Sequence, residues 1–325
     1  MHVCIHHHKV LPVKKYGGIE RAVFWHMLEL VRQGHQVTFI GPKESEVTKH
    51  GIKHIVWNKG EDWQKLVPDN IDIVHVSFPE KIRIDVPYVL NVQGNGFPGE
   101  KHDRNTVFCS KSHARNHNST SYVNNAVDMR EYPINYTSNK ITEIEHLLFL
   151  AKASWRVKNL KQSLKIALKT NKHLHICGGN SILGIHPLIH NHGMVGGDNK
   201  LSIMQKCDAL LFPVRWHEPF GIAIIEAMTQ GIPVFGSSFG SLPDLIVKGT
   251  GRTFYSHEEI IQYFKNGAEE FDRDFIRNHV IENYSIERFT KDFVEKYKIV
   301  LNGQHLNEEE PEWIYPFRAG KRLPF

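Results

Sequence analysis

"DALLFPVRWHEPFGIAIIEAMTQGIPVFGSS", residues 208–238, decides the fold. An apolar run, "DALLFPV", has the length and composition of a buried strand. A polar loop, "RWHEP", follows, and Pro219 and Gly221 mark the start of a helix, "GIAIIEAMTQG". The stretch ends in a second apolar run, "IPVFGSS". Strand, loop, helix and strand in succession make a β-α-β unit, which predicts parallel strands. Two glutamates flank the turn: Glu218 in the loop and Glu226 in the helix, with seven residues between them. Carboxylates near a helix N-terminus are stabilised by about 0.3–1 kcal/mol through the helix dipole, which is reason enough for their presence. Two acceptors beside backbone N–H groups that suit an anion also match a nucleotide-sugar. One would take sugar hydroxyls, the other ribose hydroxyls, and the helix start the diphosphate.

The same alternation extends in both directions. "HVCIHH" (2–7) is a first strand, followed by the glycine turn "KKYGGIER" and a helix with Ile19, Val23, Met27 and Val31 on one face. "HQVTFIGP", "IDIVHVSF", "YVLNVQG" and "NTVFCS" read as further strands. Residues 133–146 are polar with little periodicity and read as a connection. The alternation then restarts with "LLFLAK", "KNLKQSLKIALKT", "HLHICGG", "NKLSIMQKC" and the stretch quoted above. The expectation is α/β: two Rossmann-like domains facing across a cleft. They would cover residues 1–140 and 147–300, with a tail, 301–325, packing on the surface. Ligands of such sheets sit at the carboxyl ends of the strands.

Composition narrows the class. The chain has 325 residues, enough for about two domains. It is 41% hydrophobic and 23% charged, with a formal net charge of +5. This mild basic excess fits an anionic ligand or a peripheral contact with an anionic membrane, and it is too diffuse for nucleic acid. No run of about 18 apolar residues exists to span a bilayer. The start has no signal-peptide pattern. The four cysteines, at 4, 109, 177 and 207, lie in apolar stretches without a CxxC pair. Buried reduced thiols and a cytoplasmic protein, peripheral at most to the inner face of the membrane, are expected. The "HHH" at 6–8 continues the first strand.

Three motifs are set aside. "GNGFPG" (94–99) has the spacing of a dinucleotide fingerprint, but Pro98 and the strand that soon follows leave no room for the helix, so a flexible loop is expected. "DRD" (272–274) lies in a charged helical stretch and reads as a solvated face. His186, His190 and His192 in "HPLIHNH" have spacings that suit a metal but no suitable partner beyond Asp198, and are expected in a polar loop. "YGGIER" is retained: Gly17 and Gly18 let backbone approach a ligand, and the following helix start suits phosphate. "PVFGSSFGSLPDLI", with Asp244, supplies another turn closing the cleft.

On "GGIERAVFWHMLELVRQGHQVTFIGP", "YVNNAVDMREYP", "LLFLAKASWRVKNL", "HICGGN" and "EPFGIAIIEAMTQGIPVFGSSFGSLPDLI", the chain resembles the retaining glycosyltransferases of family 4, which have the GT-B fold. The likeness runs from residue 1 to about 300, and the E-x7-E element is its most specific part. It implies that Glu218 contacts the donor sugar and Glu226 the ribose, with Phe220, Gly221 and Ile222 giving backbone groups to sugar and phosphate. It implies that Lys152 and Lys158 grip the diphosphate, that Gly17 and Gly18 approach it from the other domain, and that Val195 and Gly196 line the base. Gln93 and Asn95 are the acceptor-side candidates. Three positions depart from the family pattern. Lys152 stands where arginine is frequent, which loses the bidentate fork. Gln93 stands in place of a histidine and cannot carry a proton. Asn125–Ala126 replaces an Asn-Gly pair. The implied activity moves a hexosyl unit from a UDP- or GDP-sugar to a glycan, lipid-linked or small-molecule acceptor, with retention and without a metal or other cofactor. A nucleotide-sugar epimerase of the same fold and a non-catalytic nucleotide-sugar-binding relic are the alternatives.

Overall fold

The computed structural model describes all residues except 14–16, 135, 183–184 and 319. The strands are β1 (His2–His6), β2 (Gln36–Gly41), β3 (Lys53–Val56), β4 (Ile73–Val76), β5 (Tyr88–Val92), β6 (Thr106–Phe108), β7 (Lys140–Ile141), β8 (His146–Leu150), β9 (His173–Cys177), β10 (Ile189–Gly193), β11 (Ala209–Phe212), β12 (Val234–Ser237), β13 (Gly251–Phe254) and β14 (Phe271–Asp272). The α-helices are α1 (Gly18–Arg32), α2 (Lys111–Arg115), α3 (Leu160–Lys169), α4 (Gly197–Met204), α5 (Ile222–Met228), α6 (Leu242–Leu245), α7 (His257–Lys265), α8 (Arg273–Tyr284) and α9 (Ile286–Leu301). None of the described helices is long and apolar enough to cross a membrane.

Two compact units result. Of the described residues, the first holds 1–13, 17–127 and 286–318, and the second the described part of 128–285 and 320–325. Each has a six-stranded sheet, in the order β3-β2-β1-β4-β5-β6 and β10-β9-β8-β11-β12-β13. Every pairing in the two sheets is parallel. Renumbered within its own sheet, each order is the doubly wound Rossmann order. Such sheets are covered on both faces, and β4 and β11 are accordingly buried along their whole length. This is the α/β, two-Rossmann architecture expected from the sequence. The four cysteines are free and buried, and burial pushes the thiols of Cys4 and Cys177 up to about 12.

The domain boundary differs from the expectation. Helix α9 does not end the second unit; it packs on α1 and β5 in the first. His26 of α1 bonds to Thr290 (2.9 Å) and Tyr297 (2.8 Å) of α9, and His75 of β4 bonds to the same Tyr297 hydroxyl (2.6 Å). All four side chains are buried, so each satisfies the others' polar atoms. The tail has specific contacts with the first unit. Asn307 binds the Arg104 and Thr106 carbonyls, and Trp313 is buried.

Candidate active site

In the second sheet the chain order reverses between β8 and β11, which pair directly. In open sheets of this kind ligands sit at such a switch point, outside the carboxyl ends of the strands. The loop after β8 carries Lys152 and Lys158, and the loop after β11 carries Glu218. Two bonds zip the loops together: Arg215 N–H to Val157 O (2.7 Å) and the Asn159 side-chain amide to Pro213 O (2.9 Å). Asn159 is buried in the left-handed region (φ 62°), where asparagine is tolerated better than most residues.

This zipping sets Lys158 against Glu218. The ammonium lies 2.6 Å from Glu218 Oε2, and the indole N–H of Trp216 donates to the same oxygen at 2.6 Å. Lys158 Nζ also lies 5.1 Å from the Phe212 ring centre and 5.0 Å from that of Trp216, within cation–π range. Lys158 is 9% exposed and Glu218 5%, so the pair is shielded from water. Gly240 and Ser241 fix the backbone of the loop. Ser241 N–H donates to Glu218 O (3.0 Å) and Ser241 Oγ to Phe220 O (2.5 Å). Gly240 has φ 65°, and a Cβ there would stand 2.2 Å from Glu218 N. The turn around Asp244 thus buttresses the glutamate loop.

Glu226 sits in α5, which starts from Gly221 with φ 92°. Its Oε1 accepts from Lys200 Nζ (2.5 Å) and from the Tyr132 hydroxyl (2.7 Å). Lys200 projects from α4, whose N-terminus is Gly196, so the Val195–Gly196 segment and Glu226 are joined through one buried lysine. Lys152 is exposed, with its ammonium 5.6 Å from the Trp155 ring centre. Its loop lies hard against "GGN": a Cβ on Gly178 would come within 2.0 Å of Ala151 O. Lys152, Lys158, Val195, Gly196, Glu218, Phe220, Gly221, Ile222 and Glu226 therefore all belong to one unit. The Phe220 ring itself is buried, edge-on to Tyr284.

Gly17, Gly18, Gln93 and Asn95 belong to the first unit. Gly17 caps α1 with φ 150°, and Glu20 lies in the first turn, with Oε2 2.8 Å from where a Cβ on Gly17 would stand. Tyr16 lies outside the described residues. Gln93 exchanges two amide hydrogen bonds with Asn125, at 3.0 and 2.6 Å. The loop that follows is exposed at Gly94 and at residues 97–99 but anchored at two points. His113 Nε2 bonds Gly94 O at 3.0 Å; a carbonyl only accepts, so Nε2 carries the proton and Nδ1 accepts from the Cys109 thiol at 3.1 Å. A Cβ on Gly96 would meet Trp313 at 3.0 Å. No helix opens at Gly99; the next regular element is β6.

The motifs set aside are accounted for. Asp272 caps α8 by accepting from Phe275 N–H (2.9 Å), and Asp274 accepts from the Tyr136 hydroxyl (2.7 Å). His190 and His192 are not in a loop. They lie on edge strand β10 and bond His173 (2.9 Å) and His175 (3.0 Å) of β9. His146 of β8 completes a five-ring ladder through His175 (3.0 Å). Sequence reading missed Lys200, Trp216, Tyr132 and Asn159. A lysine or a polar turn residue is ordinarily exposed, so of the Lys200–Glu226 pair only the glutamate stood out.

Residues 137–287 match the family model described as glycosyl transferases group 1. An uncharacterised glycosyltransferase of Methanocaldococcus jannaschii is 28% identical over 129 residues, 37% of this chain and 32% of the relative, so the matched stretch spans about a third of that protein. Among solved structures, AviGT4, a glycosyltransferase involved in avilamycin A biosynthesis, superposes with a TM-score of 0.73 at 18% identity over 93% of this chain and 98% of its own. HepE of Anabaena in complex with UDP-glucose gives 0.61 at 13% identity over 92% and 99%. The fold is GT-B, and its second unit carries the stretch that matches the group 1 glycosyl transferases.

Proposed function

We propose that the chain is a retaining, metal-independent glycosyltransferase that moves a hexosyl unit from a UDP- or GDP-sugar to a glycan, lipid-linked or small-molecule acceptor. The observation that carries this reading is the pair of buried carboxylates at the switch point of the second sheet, each oriented by a lysine: Lys158 on Glu218 and Lys200 on Glu226. Lys158 and Trp216 both donate to Oε2 of Glu218, which leaves Oε1 to accept from a sugar hydroxyl. Glu226 accepts from ribose, and Val195 and Gly196 line the base. Phe220, Gly221 and Ile222 give backbone groups to sugar and phosphate.

In the reaction the bond from the anomeric carbon to the diphosphate oxygen breaks, and its electron pair stays on the diphosphate. The acceptor oxygen bonds the anomeric carbon on the same face and gives its proton to the departing phosphate. Charge therefore builds on the leaving group. An ammonium has three donors, and Lys158 uses one on Glu218, so the others can meet that charge in a dry site. Lys152, which is exposed, adds a second cation. Gln93 and Asn95 are the first unit's candidates for the acceptor, and Gly17 and Gly18 its candidates for the diphosphate. A lipid-linked acceptor would suit a cytoplasmic enzyme peripheral at the membrane.

The test is incubation with UDP-, GDP- and ADP-sugars while following nucleotide release. Slow release with inversion-free sugar hydrolysis, unchanged by EDTA, is expected. Interconversion of the sugars would mark an epimerase, and binding without either reaction a non-catalytic protein. Loss of turnover with EDTA and recovery with Mg²⁺ or Mn²⁺ would overturn metal independence.

A further inference from the structure

Trp216 touches both members of the buried pair. Its indole N–H donates to Glu218 Oε2 at 2.6 Å, and its ring lies 5.0 Å from the Lys158 ammonium. The two donors on that oxygen differ in kind. An ammonium is a point charge with rotatable donors on a flexible stem and imposes little direction on a carboxylate. An indole N–H is a single donor on a rigid ring, so it fixes the plane and the rotation of the group it binds.

The indole is itself braced. Arg215, its neighbour, donates its N–H to Val157 O (2.7 Å), while its own carbonyl accepts from Leu323 N–H (2.7 Å) and its Nε donates to Leu323 O (2.7 Å). Trp155 meets the Trp216 ring edge-on at 6.3 Å. With the backbone of Glu218 held by Ser241, a bound Oε2 leaves the carboxylate one rotational state.

We propose that Trp216 is a positioning residue that assigns the two oxygens of Glu218: Oε2 to the protein and Oε1 to a hydroxyl of the donor sugar. Lys158 supplies charge, and Trp216 supplies direction. The assignment rests on the reading of Glu218 as the sugar acceptor. It makes a distinction that a merely structural tryptophan would not: the effect of removing the N–H falls on the sugar part of the donor and spares the nucleotide.

The experiment is calorimetry with UDP, UDP-glucose, GDP and GDP-mannose on the wild type and on Trp216→Phe, which keeps the aromatic face and loses the donor. The wild type binds the sugar-bearing form of its nucleotide more tightly than the bare one. In Trp216→Phe the bare nucleotide binds as before and the increment from the sugar falls roughly tenfold, the usual scale for a hydrogen bond to a charged group. Adding Glu218→Gln removes little further increment, because the two act as one unit. A sugar increment untouched in Trp216→Phe overturns the assignment alone. A wild type that binds none of the four ligands overturns the functional reading and the assignment with it. If Trp216→Phe fails to fold, ¹⁵N-tryptophan labelling of the wild type reads the same contact. The indole N–H cross-peak assigned by its proximity to the Lys158 side chain shifts with the sugar-bearing ligand and not with the bare nucleotide; equal shifts with both overturn the proposal.

Discussion

Lys158→Ala separates the two duties of the buried pair. The first effect is on stability. Lys158 is 9% exposed and Glu218 5%, so removing the ammonium strands a carboxylate away from water. Breaking such a pair from one side typically costs about 3–5 kcal/mol. In a unit of this size 1 kcal/mol moves the melting temperature by about 2–4 °C, so a fall on the order of 6–20 °C is expected. The Trp216 N–H stays on Glu218 and holds the loss toward the lower end. The second effect is on rate. One lost donor to developing charge costs on the order of 10²-fold in turnover, while affinity for the bare nucleotide changes only a few-fold. Lys158→Met with Glu218→Gln removes both charges and should recover most of the melting temperature, since no ion is left unpaired. Thermal melts and steady-state nucleotide release on the purified variants decide. A Lys158→Ala protein that keeps wild-type turnover and loses only donor affinity would refute the catalytic role, because the lysine would then bind ground and transition states alike. An unchanged melting temperature would refute the buried pair.

Glu226→Ala should weaken nucleotide binding and strand Lys200, lowering the melting temperature as well; Glu226→Gln, which can still accept one bond, should do less on both counts in calorimetry and melts. Gly240→Ala places a Cβ 2.2 Å from Glu218 N at φ 65°, so it should cut turnover strongly while circular dichroism still reports a folded chain; unaltered kinetics would show that the buttress does not set Glu218. Stability should fall on acidification. Burial lowers His6, His102 and His117 to about 4 and His7 and His75 to about 3 in the first unit, and His175 to about 3 in the second. Below about pH 6.5 the unfolded chain takes up these protons and the folded chain does not, so the folded state loses stability from there down through the folded values, by about 1.4 kcal/mol per pH unit for each such histidine. Calorimetric melts between pH 7 and 5 should show a falling midpoint, and a flat or rising one would contradict the burial of these rings.

The alternation of strand and helix was legible because parallel strands buried on both faces are near-continuous apolar runs, as in "DALLFPV". The two glutamates were legible because they bracket a turn whose Pro219 and Gly221 mark a helix start. The return of α9 to the first unit was not. An apolar stripe such as Ile286, Phe289, Phe293 and Tyr297 shows that one face is buried, and nothing in the spacing tells which sheet covers it. The partners of the glutamates were hidden for a similar reason. Lys200 lies 26 residues from Glu226, in an eight-residue helix whose composition reads as surface; Lys158 was named from the resemblance, but its pairing with Glu218 emerges only when β8 and β11 are neighbours. His190 and His192 misled because alternation at spacing two is also the strand period, and the strand was the better reading.

The central claim is that the second unit holds the donor at the ends of β8 and β11. Amide hydrogen exchange with and without saturating nucleotide-sugar tests it most directly. The account predicts protection concentrated in residues 152–159, 195–200 and 215–226, with residues 215–221 protected less by the bare nucleotide than by the sugar-bearing form. Protection confined to other segments, or none with any UDP-, GDP- or ADP-sugar, would contradict it.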